Sequence, residues 1–248
     1  MSKTRSIHVV ILAAGQGTRM RSALPKVLHP IGGKPMLAHV IDASRELNPQ
    51  KIYVVYCHGG ELVKQGISDS DLNWIQQAEQ LGTGHAVQQA ADAWNDDDIV
   101  LILYGDVPLL KAETLAEVVR KGSDSFGLLT VHLENPTGYG RIVRNEHAEV
   151  VSIVEEKDAS NEQKCITEVN TGILATKGKQ LKHWLANLEN NNAQKEYYLT
   201  DVISMSVKEG IPVETIHPDS EHEVSGVNSR EQLAELEGVY QEQQVQSL

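Results

Sequence analysis

Two glycines, an arginine and a lysine stand close together near the start of this chain, in LAAGQGTRM at 12–20 and LPK at 24–26. Glycine lets a backbone approach a bulky anion, a guanidinium grips phosphate oxygens in pairs, and an ammonium adds a compact charge for the same group. With Arg19 and Lys26 on one connection, the stretch has the makings of a phosphate-binding loop. Two familiar loops of that kind do not fit. A Walker loop ends Gly-Lys-Ser/Thr, and here Gly17-Thr18-Arg19 stands instead. A dinucleotide fingerprint wants a third glycine where Met20 is, and an acid ending the second strand, where Tyr56 and Cys57 are. Taken alone, the glycines suit a ligand-free strand-to-helix turn equally well. Asp106 closes the run DIVLILYGD, where open α/β sheets bind their ligands, although a lone Asp there more often forms a turn or caps a helix. No Ser/His/Asp or Cys/His pairing stands out and the ten histidines show no zinc-like spacing, so the chemistry on offer is positioning and charge neutralisation.

The elements that hold these residues follow from periodicity. Short β-rich runs alternate with amphipathic stretches: IHVVILAA then PMLAHVIDASREL, IYVVY then a short helix near 60–66, LNWIQ then TGHAVQQAADAW, DIVLILYGD then KAETLAEVVRKG. Alternation of this kind predicts right-handed βαβ units and a doubly wound, mostly parallel sheet. After FGLLTVHL the pattern changes to paired short strands, RIVR and EVVSIVEE, about a turn at 145–147, with NTGILAT nearby. That half is expected to form a smaller mixed-sheet lobe over the mouth of the core. The last stretch, SREQLAELEGVYQEQQVQSL, opens with a capping-box pattern, Ser229 with Gln232 three residues on, and carries Leu233, Leu236, Val239 and Tyr240 at helical spacing. The expected division is a domain over 1–228 and a C-terminal helix over 229–248 that leads towards a further domain.

Composition narrows the class. The chain has 248 residues, 40% of them hydrophobic, enough for a sizeable core. A net charge of −12 speaks against a nucleic-acid or anionic-membrane surface, so an anionic ligand needs a local cluster of cations such as Arg19 and Lys26. Cys57 and Cys165 form no disulfide framework and suit a reducing cytoplasm. The first residues imitate a secretory signal, but the apolar run is short, His8 interrupts it, and cleavage after Ala14 would delete the strand presenting the glycine loop.

In LAAGQGTRM with LPKVL the chain resembles the sugar nucleotidyltransferases. Further stretches, QAEQLGTGHA (77–86), LYGDVPLL (103–110), PTGYGRI (136–142), VEEKDA (154–159), EVNTGI (168–173), NNNAQKEYYLTD (190–201) and GVNSR (226–230), are similar to the uridylyltransferase domain of the bacterial bifunctional N-acetylglucosamine-1-phosphate uridylyltransferase/glucosamine-1-phosphate acetyltransferase family. The resemblance implies a Rossmann-like nucleotide-diphospho-sugar transferase fold and attack by N-acetylglucosamine 1-phosphate on the α-phosphorus of UTP. The products would be UDP-N-acetylglucosamine, for cell-wall and lipopolysaccharide precursors, and pyrophosphate. It assigns the backbone of Leu12, Ala13, Ala14 and Gly15 to the nucleotide, and Arg19 and Lys26 to the triphosphate. Asp106 and Asn228 go to Mg²⁺, and Gln77, Gly82 and Thr83 to uracil. Gly140, Glu155 and Asn170 go to the hexosamine, with Tyr104 and Gly105 lining the pocket and Thr200 a lesser candidate. Full-length relatives assemble as trimers largely through an acetyltransferase domain absent here, so no acetyl transfer and a monomer are expected. Three alternatives remain open: another hexose 1-phosphate as substrate, a nicotinamide-dependent oxidoreductase, and a nucleotide-sensing module without turnover.

Overall fold

The computed structural model describes residues 5–15, 17–57 and 60–246, with only the backbone of Thr18. In chain order its elements are β1 (Ile7–Leu12), β2 (Pro30–Ile31), β3 (Lys34–Pro35), α1 (Met36–Arg45), β4 (Lys51–Cys57), α2 (Glu61–Gly66), β5 (Leu72–Gln77), α3 (Thr83–Gln88) and β6 (Ile99–Tyr104). The second half adds α4 (Ala112–Gly122), β7 (Phe126–His132), β8 (Arg141–Arg144), β9 (Val150–Val154), β10 (Glu168–Lys177), α5 (Gly178–Ala186), α6 (Asp201–Lys208), β11 (Val213–Ile216) and α7 (Arg230–Gln246).

The sheet runs in the order β11-β7-β10-β6-β1-β4-β5, with the β8-β9 hairpin branching from β10. On that path β10 alone runs against its neighbours, β6 and β7; the other pairings are parallel. The α/β architecture with a mostly parallel sheet is the one the alternating runs predict, and the β8-β9 lobe is continuous with that sheet. Alternate residues of the central strands feed opposite layers. Val9, Ile11, Leu101 and Leu103 pack with Leu37, Val40 and Ile41 of α1 and Leu115 and Val118 of α4. Val10, Ile102 and Val55 pack with Val87 of α3, Leu181 of α5 and Val202 of α6. A strand covered on both faces has no polar side, which is why IVLILY, and IHVVIL apart from His8, read as apolar runs without alternation. Each such side chain contributes about 1.5–3 kcal/mol on burial.

The strand order reverses beside β1: β4 lies on one flank and β6 on the other. At such a switch point the outgoing loops diverge and leave a crevice at the carboxyl ends of the strands. The loop after β1 and the turn after β6 therefore become neighbours, tied by a hydrogen bond from Gly105 N–H to the Leu12 carbonyl at 3.0 Å.

Helix α7 packs back on the segment that follows the glycine loop. Leu236 is buried with Met20, Ile31, Met36, Leu109 and Val227, and Arg230 Nε donates to the Met20 carbonyl at 3.1 Å. The Gln232 N–H donates to Ser229 Oγ at 3.2 Å, as the capping pattern predicts. The return reach differs from a capping box: Gln232 Oε1 accepts from the Asn228 N–H at 2.8 Å, one residue earlier, and so fixes the backbone of a candidate ligand. No helix among the described residues is long and apolar enough to cross a membrane.

Candidate active site

A cavity of about 450 Å³ opens at the switch point. Its wall includes Leu12, Ala13, Ala14, Gly15, Lys26, Gln77, Gly82, Thr83, Tyr104, Asp106 and Asn228, all expected from the sequence. They arrive from four connections: the loops after β1, β5 and β6 and the segment before α7.

The glycine loop is shaped around Lys26. Gly17 has φ +60°, and a Cβ there would lie 2.6 Å from Cβ of Lys26, so the turn needs glycine for both its conformation and its space. Gln80 Nε2 donates to the Ala14 carbonyl at 2.6 Å, pinning this loop to the one after β5. The Lys26 ammonium reaches Asp106 Oδ2 in a short ion pair and donates to Asn228 Oδ1 at 3.0 Å. Two oxygens from residues 122 positions apart thus converge on one cation, a donor set that a hard divalent ion with phosphate and water ligands would also accept.

The loop after β5 is buttressed from far along the chain. Gly84 N–H donates to Tyr197 O and Tyr197 N–H to Leu81 O, both at 2.8 Å, and Leu199 N–H donates to Thr83 Oγ1 at 3.1 Å. Gly82 has φ +113°, and a Cβ would lie 2.6 Å from the Tyr197 carbonyl oxygen. Tyr104 ends β6 and lines the same cavity. Burial pushes its phenol far up, and the charges of Glu155 and Asp106 add to that, so it remains a neutral hydroxyl.

Of the residues assigned by resemblance to the sugar pocket, Tyr104 is on this wall and the others are not. Gly105 is buried at the crossing with Leu12, where a Cβ would meet Leu37 and Val27. Gly140, Glu155, Asn170 and Thr200 form a group behind. The Asn170 N–H donates to Gly140 O at 2.8 Å, and Thr200 Oγ1 donates to Glu155 Oε1 at 2.9 Å. Glu155 faces a neighbouring cavity of about 320 Å³ with Asp158, Glu189 and Asp201. Burial pushes its carboxyl above the ordinary value; the Thr200 hydrogen bond opposes this and nearby acids, Asp201 first, reinforce it. Arg19 is exposed on the 3₁₀ turn at Thr18–Met20. Its charge is felt at Tyr139, whose phenol burial and Asp106 push up and Arg19 draws down.

Sequence reasoning missed Tyr139, Thr171, Glu196 and Gly226, all on the cavity wall. Each lies in a stretch already singled out: Tyr139 and Thr171 are next to Gly140 and Asn170, Gly226 is two residues before Asn228 and Glu196 four before Thr200. For Thr171 the reason is a break in the β10 register between Asn170 and Leu174, with Asn170 Oδ1 accepting from the Gly172 N–H at 2.9 Å. Also missed was a cluster on the far strands, His132, Glu168 and His217, whose potential ligand atoms lie within 4.8 Å of one another. Strands β7 and β10 and the residue following β11 bring it together, so no spacing along the chain reveals it. Its carboxylate is held by two hydrogen bonds from Arg144, at 2.8 and 2.7 Å, and one from Thr130 at 2.9 Å.

Among solved structures, a nucleotidyl transferase from Methanothermobacter thermautotroptrophicus has the same fold, with a TM-score of 0.67 over 96% of this chain and 99% of that one at 16% identity. The profile of the MobA-like NTP transferase domain matches residues 9–161, which include the glycine loop, Lys26, Gln77, Gly82, Thr83 and Asp106. That is more than half of the chain, and the chain belongs to the MobA-like NTP transferase family.

Proposed function

We propose that this nucleotidyltransferase joins UTP to N-acetylglucosamine 1-phosphate, releasing pyrophosphate and forming UDP-N-acetylglucosamine. The observation that carries the reading is the shared cavity, in which an amide and a backbone loop suited to a pyrimidine edge, a glycine loop with its lysine, and an oxygen pair for a cation all converge. The motif series around Gly140, Glu155, Asn170 and Thr200 supports the choice of an acetylated hexosamine.

In this reading an oxygen of the sugar phosphate attacks the α-phosphorus of UTP, a P–O bond forms, and the bond to the β,γ-pyrophosphate breaks. No protein nucleophile takes part. The residues align the two phosphates and match charge that builds on the leaving group. Backbone N–H groups of the glycine loop and the Lys26 ammonium serve the phosphates, with Arg19 at the open end. Asp106 and Asn228 would hold Mg²⁺, which when bound supplies neutralisation of phosphate charge. With those two oxygens engaged by the metal, the Lys26 ammonium would be available to the phosphate oxygens.

The test is pyrophosphate release from UTP and Mg²⁺ with N-acetylglucosamine 1-phosphate, with glucose 1-phosphate, and with no sugar. Release with the acetylated sugar alone is expected. Release only with glucose 1-phosphate would shift the substrate to another hexose, and nucleotide binding without release would contradict turnover altogether.

A further inference from the structure

We infer that His85, together with the Gly82 carbonyl, decides which pyrimidine the cavity accepts, by holding the orientation of the Gln77 amide; the inference rests on the uridylyl reading above. Gln77 ends β5, is 3% exposed and lines the cavity. Its Nε2 lies 3.2 Å from the Gly82 carbonyl oxygen. A carbonyl only accepts, so the amino end of the amide faces it. The same Nε2 lies 3.1 Å from Nδ1 of His85. An amide NH₂ has no lone pair to offer, so Nδ1 accepts and the ring proton sits on Nε2. That nitrogen lies 3.1 Å from Gln89 Nε2, which also lies 3.1 Å from the His85 carbonyl oxygen; a ring proton on Nε2 therefore requires the exposed Gln89 amide to turn its oxygen towards it.

Both amino hydrogens of Gln77 are thereby engaged. What the side chain has left for a ligand is Oε1, which only accepts. Uracil presents a donor, N3–H, between two carbonyl oxygens; cytosine presents a bare N3 lone pair there and an amino group beside it. An acceptor held at this point pairs with uracil and opposes cytosine, and a site built to hydrogen-bond a substrate N–H discriminates strongly against the analogue lacking it. A Gln77 free to turn over would present its amino group and accommodate cytosine. His85 is itself braced: its ring lies against Tyr197, 6.4 Å between centroids, and the Tyr197 backbone is bonded to Leu81 and Gly84. His85 is thus a positioning residue acting through Gln77.

The experiment compares kcat/KM for UTP and CTP in the wild type, His85→Leu and His85→Asn. In His85→Leu the preference for UTP should fall at least ten-fold, through a higher KM for UTP with kcat little changed. In His85→Asn, whose Oδ1 can stand in for Nδ1 as acceptor, the preference should return. An unchanged preference in His85→Leu, or no recovery in His85→Asn, would overturn the inference. Imidazole ¹⁵N spectra of the wild-type protein at neutral pH provide a check without variants: Nδ1 should be unprotonated, and a protonated Nδ1 would refute the arrangement even if the substitutions misfold. Wild-type protein that turns over neither nucleotide would instead sink the uridylyl reading, while the nitrogen spectra would still decide the orientation of His85.

Discussion

The two halves of the cleft are built differently. On the side we assign to the nucleotide, contiguous backbone does the shaping: Leu12–Gly15 and Gly82-Thr83 each present a few consecutive residues in the connection after a parallel strand, and each lies on the cavity wall. On the side we assign to the sugar, residues from distant stretches are knitted to one another, Thr200 to Glu155 through their side chains and Asn170 to Gly140 through the backbone, while Tyr139 and Thr171 line the cavity itself. A site made of consecutive backbone is fixed once its strand is placed. A site made of separate side chains also depends on the packing between lobes, so the two halves should fail in different ways when altered.

The sharpest break is at the junction of the halves. Asp106→Ala removes one of the two oxygens that converge on the Lys26 ammonium. It should lower kcat about 10³-fold, the scale of losing one preorganised electrostatic contact to a transition state, with circular dichroism unchanged. Wild-type turnover at ordinary magnesium would show that Asp106 is not at the reacting phosphates.

Next comes the nucleotide half. Gly82→Ala forces a side chain into φ +113° and against the Tyr197 carbonyl. Displacement of this loop should raise KM for UTP about 100-fold, as misplacement on the ångström scale does, and leave KM for the sugar phosphate near its original value. An equal rise in both constants would mean that the halves are not separable.

The smallest effect belongs to the sugar half. In Glu155→Gln the amide oxygen can still accept from Thr200, while the charge is gone. Loss of one charge-assisted contact should raise KM for the sugar phosphate about ten-fold with KM for UTP unchanged. The same variant tests the electrostatics. The folded-state pKa of Glu155 is raised, chiefly by burial, so folding favours the protonated form and the carboxylate lowers stability as pH climbs above the ordinary carboxylate range. Glu155→Gln should therefore melt above the wild type at neutral pH, and the gap should close as acidification protonates Glu155 in both folded and unfolded chains. A gap that widens on acidification would show the sign to be wrong.

The same contrast explains what was legible in the sequence. Apolar runs covered on both faces announced the central strands, and the loop residues attached to their ends line one cavity, because a strand end fixes its next few residues. Asn170 and Thr171 show the limit: periodicity cannot foresee a break of register between Asn170 and Leu174, and the break decides which neighbour reaches the cavity. Lys26 shows another. Its charge was evident from composition, but its engagement with both Asp106 and Asn228 depends on contacts 80 and 202 positions away. Likewise α7 was readable as a capped helix, whereas the packing of Leu236 beneath Met20 and Ile31 was not.

The most direct test of a cleft divided in this way is a crystal structure with UDP-N-acetylglucosamine and Mg²⁺. The account predicts uracil with its N3–H on Gln77 Oε1, the diphosphate under the glycine loop, and the acetylated sugar on the side of Glu155 and Asn170. Uracil seated away from Gln77, or the two ends of the ligand exchanged, would contradict it.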